Sequence, residues 1–373
     1  PLSRKPGFEL YDGRLYFHRR RLGKPIAPNK TKTAMKPPIR LVQLNHPTLQ
    51  RRVALVEDPK LRLLDGSSSI YQLALQAITN KVSLTKLIAT LASQRLLDYD
   101  PVYAGKGEWQ LLPSFDHPDN PSACIVSGTG LTHKNSALGR QMMHQAAVGL
   151  TSPPTDSLRM YQWGVEGGSP PPGVVGVQPE WFYKGTGHSL RAHGRPLEIP
   201  SFAEDGGEEP EIAGAYIVDT TGRPWRVGLT TANEFSDHLM ERRNYLYLAP
   251  SKLRTCAIGP ELVIGGDFTA IDGKVAIRRK TGIAWTSPIR TGEKNMAHDL
   301  ENLEHHHFKY PDHRIPFQAH IHFFGADAFS FSKGFTLQPG DVMEIEWNGM
   351  GRALRNPLEK NPQTETLVKP GVL

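Results

Sequence analysis

The chain has 373 residues, 38% of them hydrophobic and 22% charged, with a formal net charge of +7. That length supports a sizeable core in one large or two ordinary domains. The two cysteines, Cys124 and Cys256, are too few for a disulfide framework or a thiolate metal site, and no apolar run approaches the roughly 20 residues that span a bilayer.

The opening stretch "PLSRKPGFELYDGRLYFHRRR" lacks the apolar core of a secretory signal, so a cytoplasmic protein is expected. Residues 1–37 read as a basic, irregular segment with a hairpin around Asp12-Gly13. No zinc finger, helix-turn-helix or aromatic-interleaved basic repeat accompanies that charge, so no nucleic-acid partner is expected.

Residues 38–115 read as a small α/β domain. "IRLVQLNH" and "RRVALVED" have the apolar patterning of short strands. "SIYQLALQAITNKVSLTKLIATLAS" repeats apolar residues at helical spacing, with Ser67 to Ser69 as its N-cap. The joint "PSFDHPDNPS" follows. From 116 to 357 short apolar runs alternate with Gly, Pro, Asn and Asp ("ACIVSGTG", "EIAGAYIVD", "RVGLTTANEF", "ELVIGG", "AHIHFFGA", "GDVMEIEW"), the pattern of a mainly β domain. Residues 358–373 form a polar tail. The fold class expected is therefore α+β.

The chemistry concentrates in "EDGGEEPEIAGAYIV", Glu204 to Val218, where an apolar strand begins among carboxylates. Alternate strand residues share a face, so Glu209 and Glu211 point one way and Glu208 the other. Thr221-Gly222 in "DTTGRP" is placed like the centre of a tight turn. Cross-strand partners then sum to about 443, which sets Glu211 opposite Ala232 and Glu209 opposite Glu234. Three carboxylates in one region repel unless a hard divalent cation takes them as ligands, Mg²⁺ first and Mn²⁺ second. The alternative is a solvated acidic loop with Glu234 paired to an arginine such as Arg242; a one-residue slip in register also undoes the convergence.

"EEPEIAGAYIV", "TANEFSDH" and "APSKLRTCAIGPELV", in that order and spacing, resemble the fumarylacetoacetate hydrolase (FAH) superfamily over residues 120–357. "GTGLTH", "GVQPEWFYKG", "RNYLYLAPSKLR" and "NLEHHHFKYP" resemble a bacterial branch tied to sugar-acid catabolism, whose members are commonly assigned as 2-keto-3-deoxy-L-arabinonate dehydratases. The resemblance implies a rolled, mixed β structure around the site, a homodimer, and Mg²⁺ or Mn²⁺ held by Glu209, Glu211 and Glu234. Glu234 stands where the superfamily has Asp, and Leu253 where it has Ser.

The resemblance also implies a 2-keto acid as the small-molecule substrate. Lys252 matches an active-site lysine, whose pKa is expected to fall near a metal and other cations so that it exchanges protons with C3 or the leaving group. Lys184 is placed to hold the substrate carboxylate, with Glu180 as a base or outer ligand. His133 stands near the position of a water-activating His, but no Glu follows it within a turn. Ser251, Thr255, Asn233, Tyr245 and Arg242 are candidates to support the site, and His306, or its neighbours His305 and His307, to touch substrate hydroxyls. "HIH" at His320 and His322 has a strand zinc spacing but lacks an obvious third ligand. The expected function is a Mg²⁺-dependent lyase that dehydrates a 2-keto-3-deoxy pentonate. A C–C hydrolase of 2,4-diketo acids that releases pyruvate is the second reading, and a non-catalytic sugar-acid-binding protein the third.

Overall fold

The computed structural model describes residues 10–11, 14–15, 38–148 and 155–373. The chain divides into two units, residues 1–37 and 38–373. In the first, Leu10–Tyr11 pairs antiparallel with Arg14–Leu15; the expected turn at Asp12-Gly13, like the rest of this basic segment, lies outside the described residues.

The second unit is α+β and is built on one long mixed sheet. Its central strands run, side by side, Ile39–Asn45, Cys256–Ile264, Pro224–Asn233, Pro210–Val218, Ala319–Phe323 and Cys124–Gly128. All of these neighbours are antiparallel except Ala319–Phe323 with Cys124–Gly128. The strands near the N-terminus thus continue the same sheet that carries the carboxylates. A second, five-stranded sheet contains Ile271–Arg279, Gly282–Thr291, Val342–Trp347 and Leu354–Lys360, which runs past residue 357. Among the described residues no helix is long and apolar enough to cross a membrane.

Strand Pro210–Val218 is buried along its whole length. Ala213, Ala215 and Ile217 face a core shared with Leu41, Ile70 and Ile321. Ile212 and Tyr216 face a second core with Val275, Leu303 and Trp347. A strand covered on both faces has no solvent side, which is why its sequence runs apolar instead of alternating.

The helical pattern after Ser67 is split in two. Ile70–Thr79 is capped by the Ser69 side chain, which accepts from Gln72 N. The chain then breaks at Lys81, whose φ is +53°, and Ser83 caps a second helix, Leu84–Leu91. A cap in mid-pattern ends one helix and starts the next although the apolar spacing continues.

Candidate active site

The hairpin between Pro210–Val218 and Pro224–Asn233 has the expected register at its open end, where Pro210 pairs with Asn233 and Glu211 with Ala232. Glu234 N donates to Glu209 O at 3.0 Å, so Glu209 and Glu234 stand opposite each other. The turn differs from expectation. A register shift at Ala215/Tyr216 pairs Val218 with Pro224, and Asp219 N donates to Arg223 O around Thr220–Gly222. Asp219 Oδ1 accepts from Thr221 N and Arg223 N, and Gly222 has φ +81°. The bulge absorbs the extra residue before the acidic end is reached, so the carboxylates keep their register.

Carboxylate oxygens of Glu209, Glu211 and Glu234 lie within 4.8 Å of one another, and all three residues are buried. Burial and the charge of Glu234 raise the pKa of Glu209; burial, with Glu234 and Glu209 beside it, lifts Glu211 well above the usual carboxylate range. Burial also penalises Glu234, but the Lys184 and Lys252 ammoniums outweigh it and hold Glu234 well below that range. Glu211 Oε2 accepts from Gly325 N at 2.6 Å, which ties it to the loop after Ala319–Phe323. Glu208 points away, accepting from Ser330 N and Oγ.

Lys252 Nζ lies 3.0 Å from Glu209 Oε1, 2.7 Å from Glu234 Oε2 and 3.3 Å from Glu241 Oε1. Burial alone would depress it, yet these three carboxylates raise its pKa well above the ordinary lysine value, the reverse of the sequence expectation. Lys184 Nζ is 2.7 Å from Glu234 Oε1 and donates to Phe235 O. Burial lowers its pKa, which Glu234 partly offsets. Lys184 therefore braces a carboxylate here.

Other candidates brace the site from outside. Asn233 Oδ1 accepts from Glu209 N, and Ser251 Oγ donates to Glu241. Glu180 is the counter-ion of Arg140, whose Nη1 is 2.8 and 3.0 Å from its oxygens, and it also accepts from Tyr245. Arg242 stacks on Phe331.

The structure does not gather the remaining candidates around the carboxylates. Thr255 Oγ1 accepts from Glu198 N, and His306 Nε2 meets Gly176 O. His133 is buried between the Thr132 and Thr291 hydroxyls, and burial drops its pKa to about 3.

Sequence reasoning missed three residues. His238 stacks on Phe329, and its Nε2 is 2.9 Å from Glu209 Oε1; its position four after Glu234 in "NEFSDH" was a readable signal. Glu241, one turn further, and Arg140, on helix Lys134–Val148, carry no local signature and are assembled by the tertiary fold.

The histidine-rich stretches form a separate buried cluster. Trp181 Nε1 donates to His307 Nδ1 at 3.3 Å, which leaves the proton of His307 on Nε2, 3.0 Å from His320 Nδ1. His322 sits between the Ser127 and Thr129 hydroxyls, 2.9 Å from each. Burial drops the pKa values of His320 and His322 to about 3. Among the described residues the one group arranged to hold a metal is the glutamate trio.

A divalent ion fits that trio. The ion pairs link Glu180, Arg140, Glu241, Lys252, Glu209, Glu234 and Lys184, and Glu211 stands beside them. Five carboxylates thus face Arg140, Lys252 and Lys184, with His238 set against Glu209, so carboxylates outnumber the permanent cations and a divalent cation offsets that excess. The donors are all hard carboxylate oxygens, which suit Mg²⁺ or Mn²⁺.

No protein-family model matches the chain. Over 197 residues, 49% of its length, it is 26% identical to the 2-dehydro-3-deoxy-D-arabinonate dehydratase of Saccharolobus solfataricus, and the match spans 60% of that relative. It superposes on a structure of 2-keto-3-deoxy-D-arabinonate dehydratase complexed with magnesium and 2,5-dioxopentanoate with a TM-score of 0.63 at 19% identity, covering 87% of this chain and 100% of that one. Against 2-hydroxyhepta-2,4-diene-1,7-dioate isomerase from Mycobacterium marinum the TM-score is 0.54 at 14% identity, with coverage of 87% and 100%. The chain has the fold of these enzymes, and in motif order and acidic cluster it resembles the fumarylacetoacetate hydrolase superfamily, with a 2-dehydro-3-deoxy-D-arabinonate dehydratase among the proteins it is similar to.

Proposed function

We propose that this protein is a Mg²⁺-dependent dehydratase of a 2-keto-3-deoxy sugar acid, a pentonate, working in the cytoplasm as a homodimer. The observation that carries the reading is the buried Glu209–Glu211–Glu234 cluster with the Lys252 ammonium set into it. The match to an arabinonate dehydratase, and the shared fold with one bound to magnesium and 2,5-dioxopentanoate, support it.

Glu209, Glu211 and Glu234 would hold the ion, whose chemistry is Lewis-acid polarisation of the 2-keto acid. Dehydration removes a proton from C3 and hydroxide from C4, and together these make one water. A single residue that gives a proton to the leaving hydroxyl and recovers one from C3 therefore closes the balance. Lys252 is that residue in this reading. His238 and Lys184 hold Glu209 and Glu234 in position. Tautomerisation of the unsaturated product leaves an aldehyde at C5.

The test is to give the purified protein and Mg²⁺ either 2-keto-3-deoxypentonates or acylpyruvates and follow the products by NMR. A C5 semialdehyde is expected. Release of pyruvate from the acylpyruvates without semialdehyde formation overturns the reading in favour of C–C hydrolysis, and tight binding without turnover in favour of a binding protein. Sedimentation equilibrium checks the dimer.

A further inference from the structure

The ion pairs extend beyond the hairpin. Arg140 Nη2 is 3.8 Å from Glu241 Oε2, and Arg140 Nη1 is spent on both oxygens of Glu180. One small cavity is lined by Glu209, Glu211, Lys252, Glu241, Arg140 and Ser136. Its wall thus passes from the candidate metal ligands, through Lys252, to a far group made of Arg140, Glu241 and Ser136.

Resting on the 2-keto acid reading above, we propose that this far group selects substrates with a single carboxylate and an uncharged, hydroxyl-bearing tail, and rejects 2-keto diacids. An arginine in a pocket is ordinarily an anchor for a second carboxylate. Here the guanidinium is shared between Glu180 and Glu241, so its charge is already over-balanced. Glu241 is buried, but Lys252 and Arg140 keep it ionised. A carboxylate accepts hydrogen bonds only, so a second one brought against Glu241 would meet a like charge and gain no bond from it, keeping only what Ser136 or Arg140 can donate. A hydroxyl donates to Glu241 and accepts from Ser136 or Arg140.

The experiment is calorimetric binding to the Mg²⁺-loaded protein of two acids of equal chain length, 2-oxopentanoate and 2-oxopentanedioate. The diacid is expected to bind at least about tenfold more weakly, as like charges at short range require. Glu241→Gln removes the repelling charge and should bring the two affinities within about threefold. Glu180→Gln, which frees Arg140 without touching Lys252, should strengthen the diacid selectively and carries the test if the first variant does not fold. Equal or tighter diacid binding by the wild type overturns the inference, as does an unchanged ratio in folded Glu241→Gln. If neither acid binds the loaded wild type, the 2-keto acid reading itself fails; if the monoacid binds and the diacid matches it, the failure is confined to the far group.

Discussion

Glu209 and Glu234 face each other across the hairpin with the Lys252 ammonium between them, 3.0 Å from one and 2.7 Å from the other. The protein thus supplies an internal cation to carboxylates that also suit a metal. An ion that entered there would share its ligands with the lysine, and in the proposed reaction this would keep proton donor and Lewis acid at the same pair of side chains.

Glu209→Gln removes one carboxylate and the acceptor of both His238 and Lys252. Turnover should fall by more than about a hundredfold, since several kcal/mol of Lewis-acid stabilisation are lost. Mg²⁺ binding by calorimetry should weaken sharply while the circular dichroism spectrum is kept. A variant that still turns over at the wild-type rate would remove Glu209 from the site.

Lys252→Met leaves Glu209, Glu234 and Glu241 without their shared cation. Breaking a buried ion pair in this way costs about 3–5 kcal/mol. The metal-free variant should therefore melt well below wild type. Added Mg²⁺ should restore more of its Tm than it adds to wild type, because the competing ammonium is gone. Activity should stay absent at saturating Mg²⁺. Weaker Mg²⁺ binding than wild type would show that the lysine does not compete with the ion.

Gly325→Ala tests the strap on Glu211. Gly325 has φ +97°, and an added Cβ would lie 2.0 Å from Thr132 Oγ1. Left-handed backbone strain alone costs on the order of 1–3 kcal/mol. A lower Tm and weaker Mg²⁺ binding are expected together, because the same amide positions the Glu211 carboxylate. A stability loss with Mg²⁺ affinity unchanged would separate the strap from the site.

The histidine cluster predicts acid sensitivity. His320 and His322 have pKa values of about 3 in the folded protein, against about 6.5 unfolded, so the unfolded chain takes up protons first. Their contribution is complete above roughly pH 6.5 and is lost as pH falls towards 3, at about 1.4 kcal/mol per pH unit for each histidine. Asp205, pushed up to about 6 chiefly by burial, acts with the opposite sign. The slope is therefore the readout: Tm of His322→Asn should fall less steeply between pH 7 and 5 than that of wild type. Parallel slopes would exclude His322 as a source of the effect.

The acidic end of the hairpin was legible because strand alternation put Glu209 and Glu211 on one face, and the count from the turn named the right opposite residue because the bulge at Ala215/Tyr216 offsets the turn's displacement. The turn itself was misread by one residue, since nothing local in "AGAYIV" announces the bulge at Ala215/Tyr216. Helix Lys134–Val148 and the strands Ile271–Arg279 and Gly282–Thr291 went unnamed. The helix mixes small and polar residues without a clean apolar stripe, Val275, Ala276 and Ile277 are buried in succession, and Gly282–Thr291 is largely exposed, so neither strand alternates cleanly. Arg140 and Glu241 meet only through packing of separate helices, 101 positions apart in the chain. The long-range partners of Lys184 and Glu180 were likewise out of reach: Lys184, expected to hold the substrate carboxylate, lies against Glu234, and Glu180, expected as a base or outer ligand, against Arg140.

The sheet that carries the hairpin has a timing consequence. Its strand Cys256–Ile264 borders Ile39–Asn45, and the amide that steadies Glu211 comes from residue 325. A chain emerging from the ribosome makes the acidic strand long before the backbone that secures it. Until that backbone has been made, Glu211 can be protonated or hydrated but not held, so the carboxylate cluster cannot take its final form before residue 325 has been synthesised.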